Sequence, residues 1–295
     1  MRRSAKEAPP LERSTTPSPA DETTSELLHA IERGLKGADL ESKNQVDPRS
    51  LPDFIVIGAA KSATTTLTRV LGRHPDIFMC KPKEPKFFGR HYDKGWDWYA
   101  SHFQAGRDAR LRGEGSTMYS STLPGFEHTA ALIKTYLPQT KIIYMVRHPL
   151  DRIVSQWRHI KGKHPSTSEF QQLWKTSRLK HLLIGCSMYY ERLSKFREQF
   201  PDDQILCLTF EDFLGAPKPS LERVLGFLGV DGPVEPLLNG GTSLPLVNEA
   251  GQQGRGYVEK PRWPWLLKWR VSRLVRPDSQ KFLHHIGKPR DYWKI

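Results

Sequence analysis

The stretch from Pro52 to Leu71 constrains the fold more than any other part of the chain. It opens with four apolar residues, Phe54-Ile55-Val56-Ile57, a run typical of a strand that is buried on both faces. The small residues Gly58-Ala59-Ala60 follow, and a hydroxyl-rich segment, Lys61 to Thr66, then opens a predicted helix. This order of strand, tight turn and helix predicts an α/β unit.

The start of that helix is a predicted anion site. Its first backbone N–H groups are unpaired and lie at the positive end of the helix dipole. The side chains that surround it are one lysine and four hydroxyls: Lys61, Ser62, Thr64, Thr65 and Thr66. A Walker A loop places its lysine after a longer Gly-rich loop, and Lys61 comes only three residues after Gly58, which argues against ATP hydrolysis. A threonine-rich N-cap beside a surface lysine stays open as a simpler interpretation.

A second predicted anion site follows the strongest strand pattern, Lys141 to Val146. Arg147 stands at the carboxyl end of this strand, and Pro149 suits the first turn of the next helix. Ser155 and His159 are four residues apart and share one face of that helix. Because the carboxyl ends of parallel strands meet at one edge of a sheet, the two sites predict a ligand with two separated phosphates.

A carboxylate, Glu84, lies in a lysine-rich loop after a short predicted strand that ends at Met79. Lys81, Lys83 and Lys86 are its neighbours, and Pro82 and Pro85 restrict the loop. The loop lies beyond a strand end, where α/β proteins place their chemistry. The lysines would keep Glu84 ionised, whereas partial burial beside Phe87 and Phe88 would raise its basicity. A solvated charged loop is the simpler alternative.

The overall charge indicates anionic ligands without choosing among them. Forty-five Lys and Arg stand against 32 Asp and Glu, a net charge of +13, which suits a nucleotide, a sulfated polymer, nucleic acid or a membrane surface. The three cysteines are widely spaced, which predicts reduced thiols. No run reaches the ~18 apolar residues of a membrane span, so we expect a cytoplasmic protein.

Strands and helices alternate along the chain, which predicts an α/β fold with a central parallel sheet and right-handed crossovers. We place this domain at residues 51–260. Residues 1–50 are predicted to be a largely disordered tail with a short helix, Ser25 to Lys36, and a polar linker. Residues 261–295 form a basic, Trp-rich extension that packs on the domain, with weak contact to a membrane surface as the alternative.

From Pro52 to Tyr257 the chain resembles the sulfotransferases that use 3′-phosphoadenylyl sulfate (PAPS), and the heparan sulfate type more than the aryl type. Four segments carry the resemblance, in this order: Ile57 to Leu67, Lys83 to Tyr99, Val146 to Ser155, and Phe200 to Val230. The chain departs from the family where Ala63 replaces a common glycine, and where Gln253-Gly254-Arg255 replaces a Lys-Gly-Arg loop.

The resemblance implies a P-loop-NTPase-like three-layer fold, PAPS as donor, 3′-phosphoadenosine 5′-phosphate (PAP) as product, and no metal. It implies that Glu84 takes the acceptor's proton, that Lys61 stabilises charge on the leaving nucleotide and that His159 assists. The residues that would bind the nucleotide are Lys61, Ser62, Ala63, Thr64, Thr65, Thr66, Arg147, Ser155, Arg255 and Gly256. The residues that we expect to contact the acceptor are Lys83, Lys86, Ser116 and Tyr119.

The function predicted from these residues is sulfuryl transfer to a hydroxyl or amine of a carbohydrate, glycolipid or other small acceptor, with no nucleic acid as partner. Two alternatives stay open. A P-loop-like nucleotide kinase would bind ATP with magnesium. A non-catalytic protein that binds polyanions would have an affinity that depends on salt concentration alone and does not change when Glu84 is replaced.

Overall fold

The structure, a computed structural model, describes residues 19–174, 176–245 and 258–295. The strands are β1 (Phe54–Gly58), β2 (Ile77–Met79), β3 (Leu111–Glu114), β4 (Lys141–Val146) and β5 (Ile205–Thr209). The α-helices are α1 (Pro19–Leu35), α2 (Leu40–Gln45), α3 (Thr64–Leu71), α4 (Gly95–Ser101), α5 (Thr129–Tyr136), α6 (Pro149–Lys163), α7 (Ser177–Leu183), α8 (Tyr189–Arg197), α9 (Phe210–Gly215), α10 (Pro217–Leu228) and α11 (Trp265–His285).

The five strands form one parallel sheet in the order β2-β3-β1-β4-β5. From β1 the chain goes outward to β2, returns to β3 beside β1, and then crosses to β4 on the other side of β1. Ligands of open α/β sheets bind at the carboxyl ends of the strands where the order reverses in this way. The loops after β1 and β4, which hold the two predicted anion sites, are therefore neighbours.

The two faces of the sheet are buried in separate apolar clusters. Ile55 and Ile57 of β1 point into one cluster, to which α5 and α8 contribute, whereas Phe54 and Val56 point into the other, formed with α3 and α10. The side chains of these four residues are fully buried, which explains the unbroken apolar run in the sequence. The prediction of a three-layer α/β fold with a parallel sheet is confirmed.

A third apolar cluster lies beside the sheet layers and joins the carboxyl-terminal extension to the domain. Leu267, Val271 and Val275 of α11 are buried together with Ile153 and Trp157 of α6. Helix α6 also carries residues of the second predicted anion site, so the extension packs on a helix of that site.

The amino-terminal region is more ordered than its composition suggested. Helix α1 begins at Pro19 rather than Ser25, so residues 19–24 are helical and not disordered, and α2 occupies part of the predicted linker. Ile31 is buried, the Tyr136 hydroxyl donates to the Gly34 carbonyl at 2.8 Å, and a Cβ at Gly34 would lie 2.3 Å from the Tyr92 hydroxyl. These tertiary contacts, which local composition does not reveal, hold the helix on the domain. The predicted disorder of residues 1–18 lies outside the described residues.

Candidate functional site

Two residues of the loop between β1 and α3 have a left-handed backbone conformation. Lys61 has φ 73° and Ala63 has φ 62°, and α3 therefore begins at Thr64, three residues later than the predicted start. Ser62 is fully buried between them, and its hydroxyl has no hydrogen-bond partner within the described part of the chain. Thr64, in the first turn of α3, is buried as well. The loop thus gathers a lysine, hydroxyls and helix N–H groups at the carboxyl end of β1.

A buried arginine of α6, Arg152, donates hydrogen bonds to this loop and to neighbouring backbone. The guanidinium of Arg152 donates to the carbonyl of Ala60 at 3.4 Å, to Ser187 Oγ at 2.7 Å and to the Leu182 carbonyl at 2.8 Å, and it also donates to the Leu183 carbonyl. The Arg152 side chain is fully buried. It therefore ties the loop after β1 to the last residues of α7 and to Ser187, which follows that helix.

Helix α6 brings the second predicted site to the first. His159 Nδ1 lies 3.4 Å from Lys61 Nζ, and Ser155 stands one turn earlier on the same half-buried face. Arg147 directly follows β4, which pairs with β1. Its guanidinium carbon lies 4.2 Å from the centre of the Phe210 ring. The structure thus brings Lys61 and His159 together, with Ser155 on the same helix face and Arg147 directly after the neighbouring strand.

Glu84 lies among the cations that the sequence placed around it. Its carboxylate is 3.4 Å from Lys83 Nζ and 3.6 Å from Lys86 Nζ, and it accepts a hydrogen bond of 3.0 Å from Thr117 Oγ1. Lys83 Nζ also donates to Thr64 Oγ1 at 3.1 Å. Burial lowers the pKa of Lys83, and the neighbouring Glu84 opposes that shift. One ammonium group thus joins the Glu84 loop to the first turn of α3.

A second carboxylate, Glu114 at the end of β3, was missed by sequence analysis. It is fully buried and accepts hydrogen bonds from the hydroxyls of Tyr99 at 2.7 Å, Tyr119 at 3.0 Å and Ser116. Burial raises its pKa to about 7, although these three hydrogen bonds favour the charged form. A Glu-Gly-Ser sequence at the end of a strand was the available signal, but the tyrosine partners come from other elements.

Two of the four predicted acceptor-contacting residues use their hydroxyls in hydrogen bonds within the protein. The Ser116 hydroxyl accepts from the Lys86 N–H at 2.9 Å, and the Tyr119 hydroxyl accepts from the Phe88 N–H at 3.2 Å. Ser116 and Tyr119 are buried, and their hydroxyls are used between this backbone and Glu114. Their direct contact with an acceptor is therefore not supported, whereas Lys83 and Lys86 do lie beside Glu84.

The last residues of the chain close the edge of the site near Arg147. Glu211 accepts from the His148 N–H at 2.8 Å and from the indole N–H of Trp293 at 3.2 Å. The Tyr292 hydroxyl donates to Asp212 at 2.8 Å. Sequence analysis did not foresee these contacts, which join residues about 80 positions apart. The predicted ligands Arg255 and Gly256 lie outside the described residues.

A comparison with protein families shows which family the chain belongs to. The family model described as a sulfotransferase domain matches residues 51–240, more than half of the chain. The chain belongs to the sulfotransferase family. The predictions of that family and of a transferase enzyme are thereby confirmed.

Known relatives of this sulfotransferase include heparan sulfate enzymes. Mouse heparan sulfate glucosamine 3-O-sulfotransferase 6 is 26% identical over 299 residues, covering 95% of this chain and 84% of the relative. The chain spans about half the length of two human heparan sulfate 3-O-sulfotransferases that it also matches. A crystal structure of a sulfotransferase from Alicyclobacillus acidocaldarius superposes with a TM-score of 0.66 at 22% identity, covering 83% of this chain and 99% of that one, which supports the fold.

The prediction of a cytoplasmic protein was wrong. The relatives named after heparan sulfate are joined by the membrane-associated sulfotransferase kil1 of Dictyostelium discoideum, 35% identical over 140 residues, 45% of this chain and 29% of the relative. The prediction rested on unpaired cysteines and on the lack of a long apolar run. Cys80, Cys186 and Cys207 are indeed unpaired, but free thiols do not define a compartment. Within the residues described, no helix has the length and apolar character needed to cross a bilayer.

Proposed function

We propose that this sulfotransferase moves a sulfuryl group from PAPS to a hydroxyl or amine of a carbohydrate or glycoconjugate, with Glu84 as general base. The observation that carries the proposal is the position of Lys83, whose ammonium contacts both Glu84 and Thr64. This contact supports a role for the Glu84 carboxylate beside the loop that we propose binds the donor's phosphosulfate. A solvated charged loop, the alternative considered from sequence, would not need this bridge.

The residues of the loop after β1 suit the phosphosulfate end of the donor. The buried hydroxyl of Ser62 has no hydrogen-bond partner in the described residues, and an anion would supply one. The N–H groups at the start of α3 and the ammonium of Lys61 add positive charge. PAPS, when bound, supplies the sulfuryl group and a phosphate as leaving group. Lys61 would stabilise the negative charge that develops on that leaving group, with His159 at its side.

Arg147 and Ser155 suit the 3′-phosphate, at the end of the donor distant from the reaction. Arginine binds phosphate through two parallel hydrogen bonds, and the contact with the Phe210 ring holds the guanidinium at the end of β4. Arg255 and Gly256 remain predicted contacts to the same phosphate. Recognition of a 3′-phosphate would separate this donor from ATP.

Glu84 would take the proton of the acceptor while the acceptor's oxygen or nitrogen forms its bond to sulfur and the sulfur–oxygen bond to the nucleotide breaks. A general base must be held within hydrogen-bond reach of the group that it deprotonates. Lys83, Lys86 and Thr117 hold the Glu84 carboxylate in place. The half-exposed side chain of Lys86 would meet an anionic carbohydrate, the acceptor class that the names of the relatives indicate.

The test uses Lys61→Ala and Glu84→Gln with labelled PAPS and a panel of glycans, aryl alcohols and lipids. We expect sulfuryl transfer to a glycan by the wild type and loss of turnover in both variants. PAP binding, measured by calorimetry, should be lost in Lys61→Ala but kept in Glu84→Gln, because Lys61 is the one of these two residues that we propose to contact the nucleotide. Lys81→Ala and Glu41→Gln, which change exposed residues, serve as matched controls and should behave as wild type.

Three results would overturn the proposal. Unchanged turnover in Glu84→Gln removes Glu84 as the base. Consumption of ATP with magnesium, without PAP binding, favours a kinase. Binding of sulfated polymers without any transfer, equal in Glu84→Gln and wild type, favours a non-catalytic polyanion-binding protein.

A further inference from the structure

The first half of α11 exposes large apolar side chains that sulfuryl transfer does not explain. Trp265 is 75% exposed, Trp269 is 55% and Leu266 is 53%. A groove of about 700 Å³ runs along this helix. We call the following residues the tryptophan patch: Trp174, Trp265, Leu266, Trp269, Arg270, Arg273 and Leu274. Five of the eight large apolar side chains that are exposed in the described residues belong to it, so the exposure is concentrated rather than scattered.

The patch is held outward by the opposite face of the same helix. Leu267, Val271 and Val275 recur every four residues and are buried in the cluster formed with α6. This spacing places them along one side of α11. The exposed tryptophans therefore belong to a helix that is held in one orientation. The apolar face of this helix that packs on the domain is a different one and is already buried.

The charge around the patch has a single sign. From Lys260 to Pro277 the chain contains six Lys or Arg and no Asp or Glu. Arg270, Arg273 and Arg276 are exposed, and the guanidinium of Arg273 lies 5.5 Å from the centre of the Trp269 ring. Exposed indoles and leucines thus alternate with cations on one surface.

We propose that the tryptophan patch docks this protein on the surface of an anionic lipid bilayer. Basic helices with Trp and Leu side chains bind in the plane of such a surface, where cations meet the headgroups and apolar groups enter the acyl boundary. Indole rings suit this boundary because they are apolar with one polar edge. A soluble polyanion would use the arginines but offer no apolar phase to Trp265 and Leu266. A second copy of the chain would bring like charges together.

The test is co-sedimentation of the full chain with vesicles of phosphatidylcholine, with and without phosphatidylserine. We expect binding only to the vesicles that contain phosphatidylserine. Trp265→Ser with Trp269→Ser should weaken binding at least about tenfold, because the indoles leave the interface. Arg270→Gln with Arg273→Gln should weaken it about 30-fold, since each surface cation contributes roughly fivefold.

Matched double variants of exposed residues on α1, α2 and the turn between them control for loss of apolar area and of charge: Leu28→Ser with Leu40→Ser, and Arg33→Gln with Lys36→Gln. Both pairs should bind vesicles as wild type does. Thermal unfolding by circular dichroism should show that the two patch variants stay folded, as expected for exposed side chains.

Several outcomes overturn the proposal. Absence of sedimentation with phosphatidylserine vesicles removes the membrane. If the Trp265, Trp269 variant binds vesicles as tightly as wild type does, the binding depends on positive charge alone, as binding to a soluble polyanion would. A dimer in light scattering that dissociates in this variant, without vesicle binding by the wild type, assigns the patch to self-association. None of these outcomes depends on PAPS binding, so the proposed function is tested separately.

Discussion

Lys83 donates a hydrogen bond of 3.1 Å to Thr64, across 19 positions of sequence, while its ammonium lies 3.4 Å from Glu84. The first partner lies at the start of α3, and the second is the proposed base. Lys83 is also largely removed from solvent, which lowers its pKa. The Lys83 ammonium therefore bridges the start of α3 and the Glu84 carboxylate.

Lys83→Met should lower turnover by about 10²-fold, because the variant loses a cation that orients Glu84 at the reaction centre. The measurement is kcat with PAPS and a glycan acceptor, together with the melting temperature. Lys81→Met removes an exposed cation two residues away and should leave kcat unchanged. An equal loss in both variants would mean that net charge of the loop, and not the bridge, is what matters.

Arg152→Met should lower the free energy of unfolding by about 3 kcal/mol or more, since several buried acceptors lose their donor at ~1–3 kcal/mol each. PAP affinity should fall as well, because the carbonyl of Ala60 loses its anchor. Urea unfolding and calorimetry measure the two effects. The exposed Arg178, on α7, gives the matched variant Arg178→Met, which should change neither quantity. Wild-type stability in Arg152→Met would contradict the buried tether.

Ala63→Gly should stabilise the fold by up to about 1 kcal/mol. Ala63 has φ 62°, a left-handed conformation that costs a residue with a Cβ roughly 1–2 kcal/mol, and glycine offsets part of this gain through its larger unfolded-state entropy. Ala60 does not have a positive φ, so Ala60→Gly should destabilise by about 0.5–1 kcal/mol. Opposite signs in urea unfolding are the expected result, and a loss of stability in both variants would contradict the left-handed turn.

Glu114 predicts a pH dependence of stability between about pH 4.5 and pH 7. Its pKa in the folded protein is raised by burial to about 7 from 4.5, so the folded state holds this proton more tightly than the unfolded state. Its stabilising effect is thus complete below pH 4.5 and is lost as the pH rises to 7, roughly 3 kcal/mol in all. Relative to Glu114→Gln, wild-type unfolding free energy should fall over this range. Parallel curves for the two proteins would contradict the shift.

Local pattern predicted much of the fold and the outline of the site. The strand Phe54 to Ile57, the helix Thr129 to Tyr136 and the position of Arg147 follow from residue types that are adjacent in sequence. The parallel sheet follows from the alternation of strands and helices, whereas the strand order comes from the structure alone. The ion pairs of Glu84 with Lys83 and Lys86 could also be expected, because these residues are adjacent to it in sequence.

The supporting residues were out of reach because their partners are distant in sequence. Arg152 donates a hydrogen bond to Ala60, 92 positions away in sequence. Tyr292 donates to Asp212 over 80 positions, and Tyr136 donates to Gly34 over 102 positions. A sequence pattern reports which side chains follow each other, but it does not report which backbone groups need a donor after folding. The bonds of the Ser116 hydroxyl to the Lys86 N–H and to Glu114 were missed for this reason.

The loop that carries Glu84 is fixed by its own backbone. The N–H groups of Lys86 and Phe88 are held by Ser116 and Tyr119, and the carbonyl of Lys83 accepts from the Gly115 N–H at 2.9 Å. The conformational entropy of this segment is therefore surrendered once, during folding. On the proposed function, the Glu84 carboxylate already stands at its working position before an acceptor binds, and the acceptor's binding energy remains available for choosing among hydroxyl groups.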